Sequence, residues 1–136
     1  MAGNQNPIFS RVGAIGWSGL IKDANTNKDG TGVANTVFTA DSTNGSWVER
    51  IKFQPLGTNI ATVARVFINN GGTSTAANNA YWDQITLAAT TNSEAASLTV
   101  YELPLGFALP PGYTIFVTLG TAVAAGYQAI VIAGNY

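Results

Sequence analysis

No stretch of this chain longer than a turn repeats apolar residues at helical spacing, and this constrains the fold more than any motif does. The best helical candidate, "NSEAAS" at 92–97, is too short to stand alone. Instead, Val, Ile, Thr, Phe, Tyr and Trp gather in runs of six to ten residues, separated by Gly, Asn, Asp and Pro. β-Branched and aromatic side chains pack well on a pleated surface, and the separators are turn formers.

The runs can be placed in order. An extended segment, "PIFSRV" at 7–12, precedes a strand at 13–22 that Gly13, Gly16 and Gly19 loosen. "VANTVFTA" at 33–40 leads into the turn "DSTNG" at 41–45, where Asn44-Gly45 suits the positive φ of a hairpin. "SWVERIKF" at 46–53 is expected to turn Val48, Arg50 and Lys52 to one face and Trp47, Ile51 and Phe53 to the other. "NIATVARVFIN" at 59–69 is apolar on both faces, as a covered central strand would be. A polar loop at 73–80 leads to "YWDQITLA" at 81–88. "SLTVYEL" at 97–103 and "GYTIFVTL" at 112–119 are expected on either side of a connection, "PLGFALPPG". The run at 112–119 alternates cleanly, with Tyr113, Ile115, Val117 and Leu119 on one side and Thr114, Phe116 and Thr118 on the other. "GYQAIVIAG" at 126–134 is the last strand. About eight strands at this spacing predict an all-β fold, an antiparallel β-sandwich that is jelly-roll-like. Residues 1–12 read as an N-terminal arm or edge segment and 13–136 as a single β-sandwich domain.

Composition narrows the function. The 136 residues include neither Cys nor His, which removes thiol nucleophiles, Cys metal sites and the commonest general base near neutral pH. Charged residues make up 10% of the chain, against roughly 25% in ordinary domains. The net charge of −1 gives no basic footprint for nucleic acid. Mean hydropathy is positive, +0.17, yet no apolar run approaches the ~18 residues of a membrane span. The start, "MAGNQNPIF", has no charged n-region and no apolar h-region, so no signal peptide is expected. A surface this poor in charge is expected to be covered in part by other protein chains.

Several short stretches resemble sites and fail on inspection. "DANTNKDGTG" at 23–32 alternates ligand-type side chains. A calcium loop begun at Asn25 gains Asn27, Asp29 and Gly30 but puts Thr36 where a bidentate carboxylate belongs. Begun at Asp23, it puts Lys28 at the required glycine. The stretch is expected to be a turn. "GWSGL" at 16–20 is one residue short of a nucleophile elbow, and no His exists to activate Ser18. "GTGVAN" at 30–35 lacks the third glycine of a dinucleotide loop. Glu49 and Glu102 sit in predicted strands and are expected to pair with Arg65, within the chain or across a subunit boundary. Asn44-Gly45-Ser46 is formally a glycosylation sequon but reads as a hairpin turn. Trp17, Trp47, Trp82 and Tyr81 are expected at a core or interface, or else as a sugar-stacking platform. No catalytic, metal-binding or cofactor-binding residue is expected.

Two stretches carry a family resemblance: "TVFTADSTNGSWVERIKFQPLGTNIATVARVFINNG" at 36–71 and "YELPLGFALPPGYTIFVTLGTAVAAGYQAIVIAGNY" at 101–136. Their marks are a turn-strand-"QPLGTN"-strand pattern, "LPPGY" opening a strand, and a Gly-aromatic final strand ending in "GNY". Together they resemble the head decoration, or cement, proteins of tailed bacteriophages, which are built on jelly-roll sandwiches. The resemblance implies a homotrimer on the outer surface of an icosahedral virion, clamping neighbouring subunits of the major capsid protein, with no enzymatic activity. The expected partner-interface residues are Asn4, Gln5, Asn6, Pro7, Ile8, Phe9 and Arg11 of the N-terminal segment, with Arg65, Tyr81 and Trp82. Either the segment adds a strand to a neighbour's exposed edge, or residues 1–6 are expected to be disordered and 7–12 to form an edge strand of the chain's own domain. The rival reading is a carbohydrate-binding β-sandwich of a phage fibre or tail, which an exposed row of Trp and Tyr on one sheet would favour.

Overall fold

The computed structural model describes residues 10–136. The apolar runs form eight strands: β1 (Val12–Trp17), β2 (Asn35–Thr39), β3 (Ser46–Pro55), β4 (Thr62–Asn69), β5 (Asn79–Leu87), β6 (Tyr101–Leu109), β7 (Thr114–Leu119) and β8 (Tyr127–Asn135). They pair antiparallel in two four-stranded sheets. Sheet I runs β1-β8-β3-β6 and sheet II runs β2-β7-β4-β5. In sequence order, first pairs with last, second with seventh, third with sixth and fourth with fifth, which is the double Greek key of a jelly roll. A single 3₁₀ turn, Ala76–Asn78, is the one helical element among the described residues. "NSEAAS" forms a loop in which the Ser93 hydroxyl accepts the Ala95 and Ala96 amides.

Alternation builds the core. Val48, Ile51 and Phe53 of β3, Leu103, Leu105 and Leu109 of β6, and Tyr127, Ala129 and Val131 of β8 face inward from sheet I. Val37, Phe38, Ala64, Val66, Ile115, Val117 and Leu119 meet them from sheet II. Each fully buried aliphatic side chain contributes roughly 1.5–3 kcal/mol by leaving water.

Four local expectations need correcting. In β3, Val48 and Ile51 share the core face, and Trp47, Glu49, Arg50 and Lys52 turn outward. A bulge between Val48 and Arg50 inserts Glu49 and resets the alternation, which keeps both charged neighbours in solvent. Secondly, the strand expected to end at 103 continues through Pro104 to Leu109. β6 is an edge, so Pro104 sacrifices no central ladder bond, and Gly106, at φ +69°, absorbs an extra residue against β3. Thirdly, the strand expected over 13–22 stops at Trp17, and Ile21 makes only an isolated bridge to Tyr127. Lastly, β4 begins at Thr62, and Asn59 ahead of it bridges to Thr90 instead. Val12, assigned from sequence to the arm segment, opens β1; residues 1–9 lie outside the described residues.

Candidate functional site

The outer face of sheet II carries its own small apolar cluster. Phe67 stacks on Phe116 with ring centres 5.1 Å apart, and Tyr81 tilts against Phe67 at 4.8 Å. "DANTNKDGTG" lies across this face as a lid. The Asn25 amide donates to the Thr31 and Val33 carbonyls at 2.8 and 2.7 Å, and its oxygen accepts the Asn27 amide. The Asn79 side chain donates to the Asp29 carbonyl and the Ser74 hydroxyl to the Gly30 carbonyl, which fastens the lid to the strand below. Gly30 is at φ +79°, and a Cβ there would press on Phe116 and Asn79 at 2.9 Å. Asn25 Oδ1, Asp29 Oδ1 and the Thr31 and Val33 carbonyls all accept hydrogen bonds from within the stretch. Asp29 accepts the Thr31 hydroxyl at 2.6 Å and its amide at 3.0 Å, and these bonds hold its carboxyl below the ordinary carboxylate value. The stretch is a self-satisfied turn that covers Phe116. This is why β7, with its clean alternation, is buried on both faces.

Arg65 lies beside this lid. Its Nη1 donates to the Asn25 carbonyl at 3.3 Å, and no carboxylate among the described residues lies within ion-pair distance. Glu102 instead faces Arg50 at 3.7 Å, and Glu49 accepts the Trp47 indole N–H at 3.2 Å. The expected pairing of Arg65 with Glu49 or Glu102 within the chain is therefore not formed. β4 belongs to sheet II, whereas both glutamates stand on sheet I. Ser18 of "GWSGL" is buried, and its hydroxyl accepts the Ala129 amide at 3.0 Å, fixing the end of β1 to β8. That is a structural role.

Sheet I presents a different outer face. Along β8, Tyr127, Ala129, Val131 and Ala133 pack inward, so Gln128, Ile130 and Ile132 point out. In β1, Ala14 packs inward, so Ile15 and Trp17 point out. The register places Ile15 beside Ile132 and Trp17 beside Ile130, with Trp47 of β3 at one end of the field. Trp17 is 64% exposed, Ile15 60% and Trp47 36%. These three side chains alone expose on the order of 350 Å². Such a field approaches the largest apolar patch that ordinary monomers carry. Arg50, Lys52 and Glu102 flank it on the β3–β6 side, giving a charged rim of both signs. An apolar centre with a polar rim is the anatomy of a protein-docking surface.

The residues singled out from sequence do not form one cluster. Arg65 and Tyr81 share the outer face of sheet II, linked through Gln84, which stands opposite Arg65 and accepts the Tyr81 hydroxyl at 2.8 Å. Trp82 is the extra residue of a bulge in β5 and packs on Phe107 at 4.7 Å, sealing the β5–β6 side of the sandwich. Arg11 is exposed and donates its amide to the Asn135 carbonyl at 2.7 Å. Asn4, Gln5, Asn6, Pro7, Ile8 and Phe9 lie outside the described residues. The tryptophans are likewise dispersed. Trp17 and Trp47 stand roughly 15 Å apart by strand spacing, with isoleucines between them, and Tyr81 and Trp82 are elsewhere. The outward isoleucines of sheet I went unnoticed in the sequence, although "AIVIAG" is apolar at every step and so predicts a strand covered on both faces. No family model matches the chain, and no curated protein is significantly similar to it.

Proposed function

We propose that this protein is a structural component of a phage virion that decorates the capsid and braces neighbouring capsid subunits through the outer face of sheet I. The observation that carries this reading is the uncharged field of Ile15, Trp17, Ile130, Ile132 and Trp47 on a chain with only 10% charged residues. A monomer gains nothing by keeping this field in water, whereas a protein partner would bury it. The resemblance of residues 36–71 and 101–136 to phage cement proteins supplies the choice of partner. Modest contacts suffice on a shell, because many copies attach side by side. A sugar-binding role is less well supported. Between Trp17 and Trp47 stand branched aliphatic side chains, which offer a saccharide neither a stacking face nor a hydrogen bond.

The test is the copy number of the 14.1 kDa chain, relative to the major capsid protein, in purified particles of the phage whose genome encodes it. Near-stoichiometric amounts are expected. A few copies per particle would move the chain to a fibre or tail, and absence would overturn the reading.

A further inference from the structure

The four sheet edges are not equally defended against pairing with another strand. In sheet I, β6 carries Pro104, Glu102 and the Gly106 bulge. In sheet II, β5 carries the Trp82 bulge and Asp83, and β2 is only five residues long with a bulge between Thr36 and Phe38. Prolines, charges, bulges and shortness are the devices that blunt an edge. β1, "VGAIGW", is six residues long and has no proline, charge or bulge. It keeps an unbroken register against β8 from Val12 to Trp17. Among the described residues, no strand pairs with its other side.

The hydrogen-bond phase fixes what this edge offers. The Ser18 amide donates to the Ala129 carbonyl, its register partner, so even-numbered residues of β1 bond to β8. The N–H and C=O groups of Gly13, Ile15 and Trp17 therefore point away from the sheet, along a strand whose outward side chains are apolar.

We propose that β1 pairs antiparallel with β1 of a second copy across a two-fold axis, Ile15 opposite the partner's Ile15. In this register every outward-pointing N–H and C=O of Gly13, Ile15 and Trp17 meets a complementary group, and core-facing residues stay on the core side in both copies. Trp17 falls opposite the partner's Gly13, where nothing lies within 4 Å of the Cβ that Gly13 lacks, so the indole has open space to cover. An aromatic over an edge glycine is a stabilising cross-strand pair. On the core side Ala14 meets the partner's Gly16, small against small, above a groove of about 590 Å³ floored by Val37 and Phe38. Val12–Trp17 carries no charge, so no like charges oppose each other along the paired strands themselves, although Asp41 lines the groove beneath them. The seam joins the two sheet I faces into one eight-stranded sheet and doubles the apolar field around Ile15 and Trp17. A second copy fits this edge better than an unrelated strand does, because the register that satisfies the backbone also places Trp17 over glycine.

Sedimentation equilibrium of the full chain is expected to give twice 14.1 kDa. Ile15→Cys then tests the register. The chain has no other cysteine, and Cα atoms of a directly opposed, hydrogen-bonded pair lie about 5.5 Å apart, within disulfide reach. Mild oxidation is expected to yield a covalent dimer for Ile15→Cys and none for Thr86→Cys, an exposed position on the distant β5 edge. Ile15→Lys, which sets two like charges across the axis, is expected to give a monomer with an unchanged circular dichroism spectrum. A wild-type monomer, or the trimer that the family resemblance implies, would overturn the pairing, as would Ile15→Cys that cross-links no faster than Thr86→Cys. If the lysine variant does not fold, the cysteine pair still decides. Neither result depends on whether the chain occurs in virions.

Discussion

Asn59 opens the strand expected over 59–69, yet it lies in the turn ahead of β4 and joins two crossovers of the jelly roll. Its side chain is 3% exposed. Its oxygen accepts the Ala125 and Gly126 amides at 2.9 and 2.8 Å, and its nitrogen donates to the Gly126 carbonyl at 3.1 Å. One amide thus ties the turn after β3 to the turn that opens β8, and the Asn59 backbone bonds Thr90 in both directions. Asn59→Ala strands the Ala125 and Gly126 amides, while the Gly126 carbonyl keeps the Leu56 amide at 3.0 Å. A stranded buried group costs about 1–3 kcal/mol, and with Ala125 at the low end for partial solvent access the loss is about 2–4 kcal/mol. For a domain of this length that corresponds to a fall in Tm of about 6–15 °C. Urea unfolding followed by tryptophan fluorescence is expected to show a lower midpoint with an unchanged m value, because the surface exposed on unfolding is the same. A loss below about 1 kcal/mol would refute the reasoning, since the turns would then hold without their shared amide.

Two further predictions rest on single buried contacts. The Tyr127 ring is fully buried and its hydroxyl has no hydrogen-bond partner among the described residues; burial, with a smaller contribution from Tyr101, raises its pKa above the ordinary phenol value. The folded state therefore holds this proton more tightly than the unfolded chain, so stability is constant below about pH 10 and falls as pH rises through the folded pKa. Tyr127→Phe is expected to leave stability at neutral pH unchanged or slightly higher and to weaken the alkaline decline, read from Tm against pH; a large loss at neutral pH would contradict the unpaired hydroxyl. Gly30→Ala meets both an unfavourable φ and the Phe116 ring, and is expected to cost about 1–3 kcal/mol and to speed hydrogen exchange in residues 25–33, whereas a neutral effect would mean that the lid does not sit on Phe116.

The strands were legible because their signal is local: β-branched and aromatic runs between turn formers require no knowledge of neighbours. "GYTIFVTL" became β7 with the expected residues in the core. What escaped depends on pairing. The phase reset at Glu49 exists only against β8, and nothing in "SWVERIKF" sets it apart from plain alternation except the two adjacent charges. Pro104 argues against a strand until β6 is known to be an edge. Asn25 looks like the turn residue it is and Asn59 like the start of a strand; that the Asn25 amide is buried inside its own loop and the Asn59 amide reaches a distant turn is tertiary information. The docking face was half legible. β4 and β8 are both apolar on their two faces, but β4 lies under the 23–32 lid while the outward isoleucines of β8 are left partly open to solvent. Only the fold distinguishes a covered strand from one whose outer face is partly open to solvent.

The measurement that tests the proposed docking face most directly is the binding of the purified chain to phage capsid shells that lack it, comparing wild type with Ile132→Lys and with Thr86→Lys. Ile132 lies at the centre of the apolar field and Thr86 on the exposed β5 edge. Wild type and Thr86→Lys are expected to saturate the shells, whereas Ile132→Lys, folded by circular dichroism, is expected to lose at least tenfold in affinity because a lysine cannot be desolvated there without a partner. Equal binding by all three would contradict the assignment of the outer face of sheet I as the surface that meets the shell.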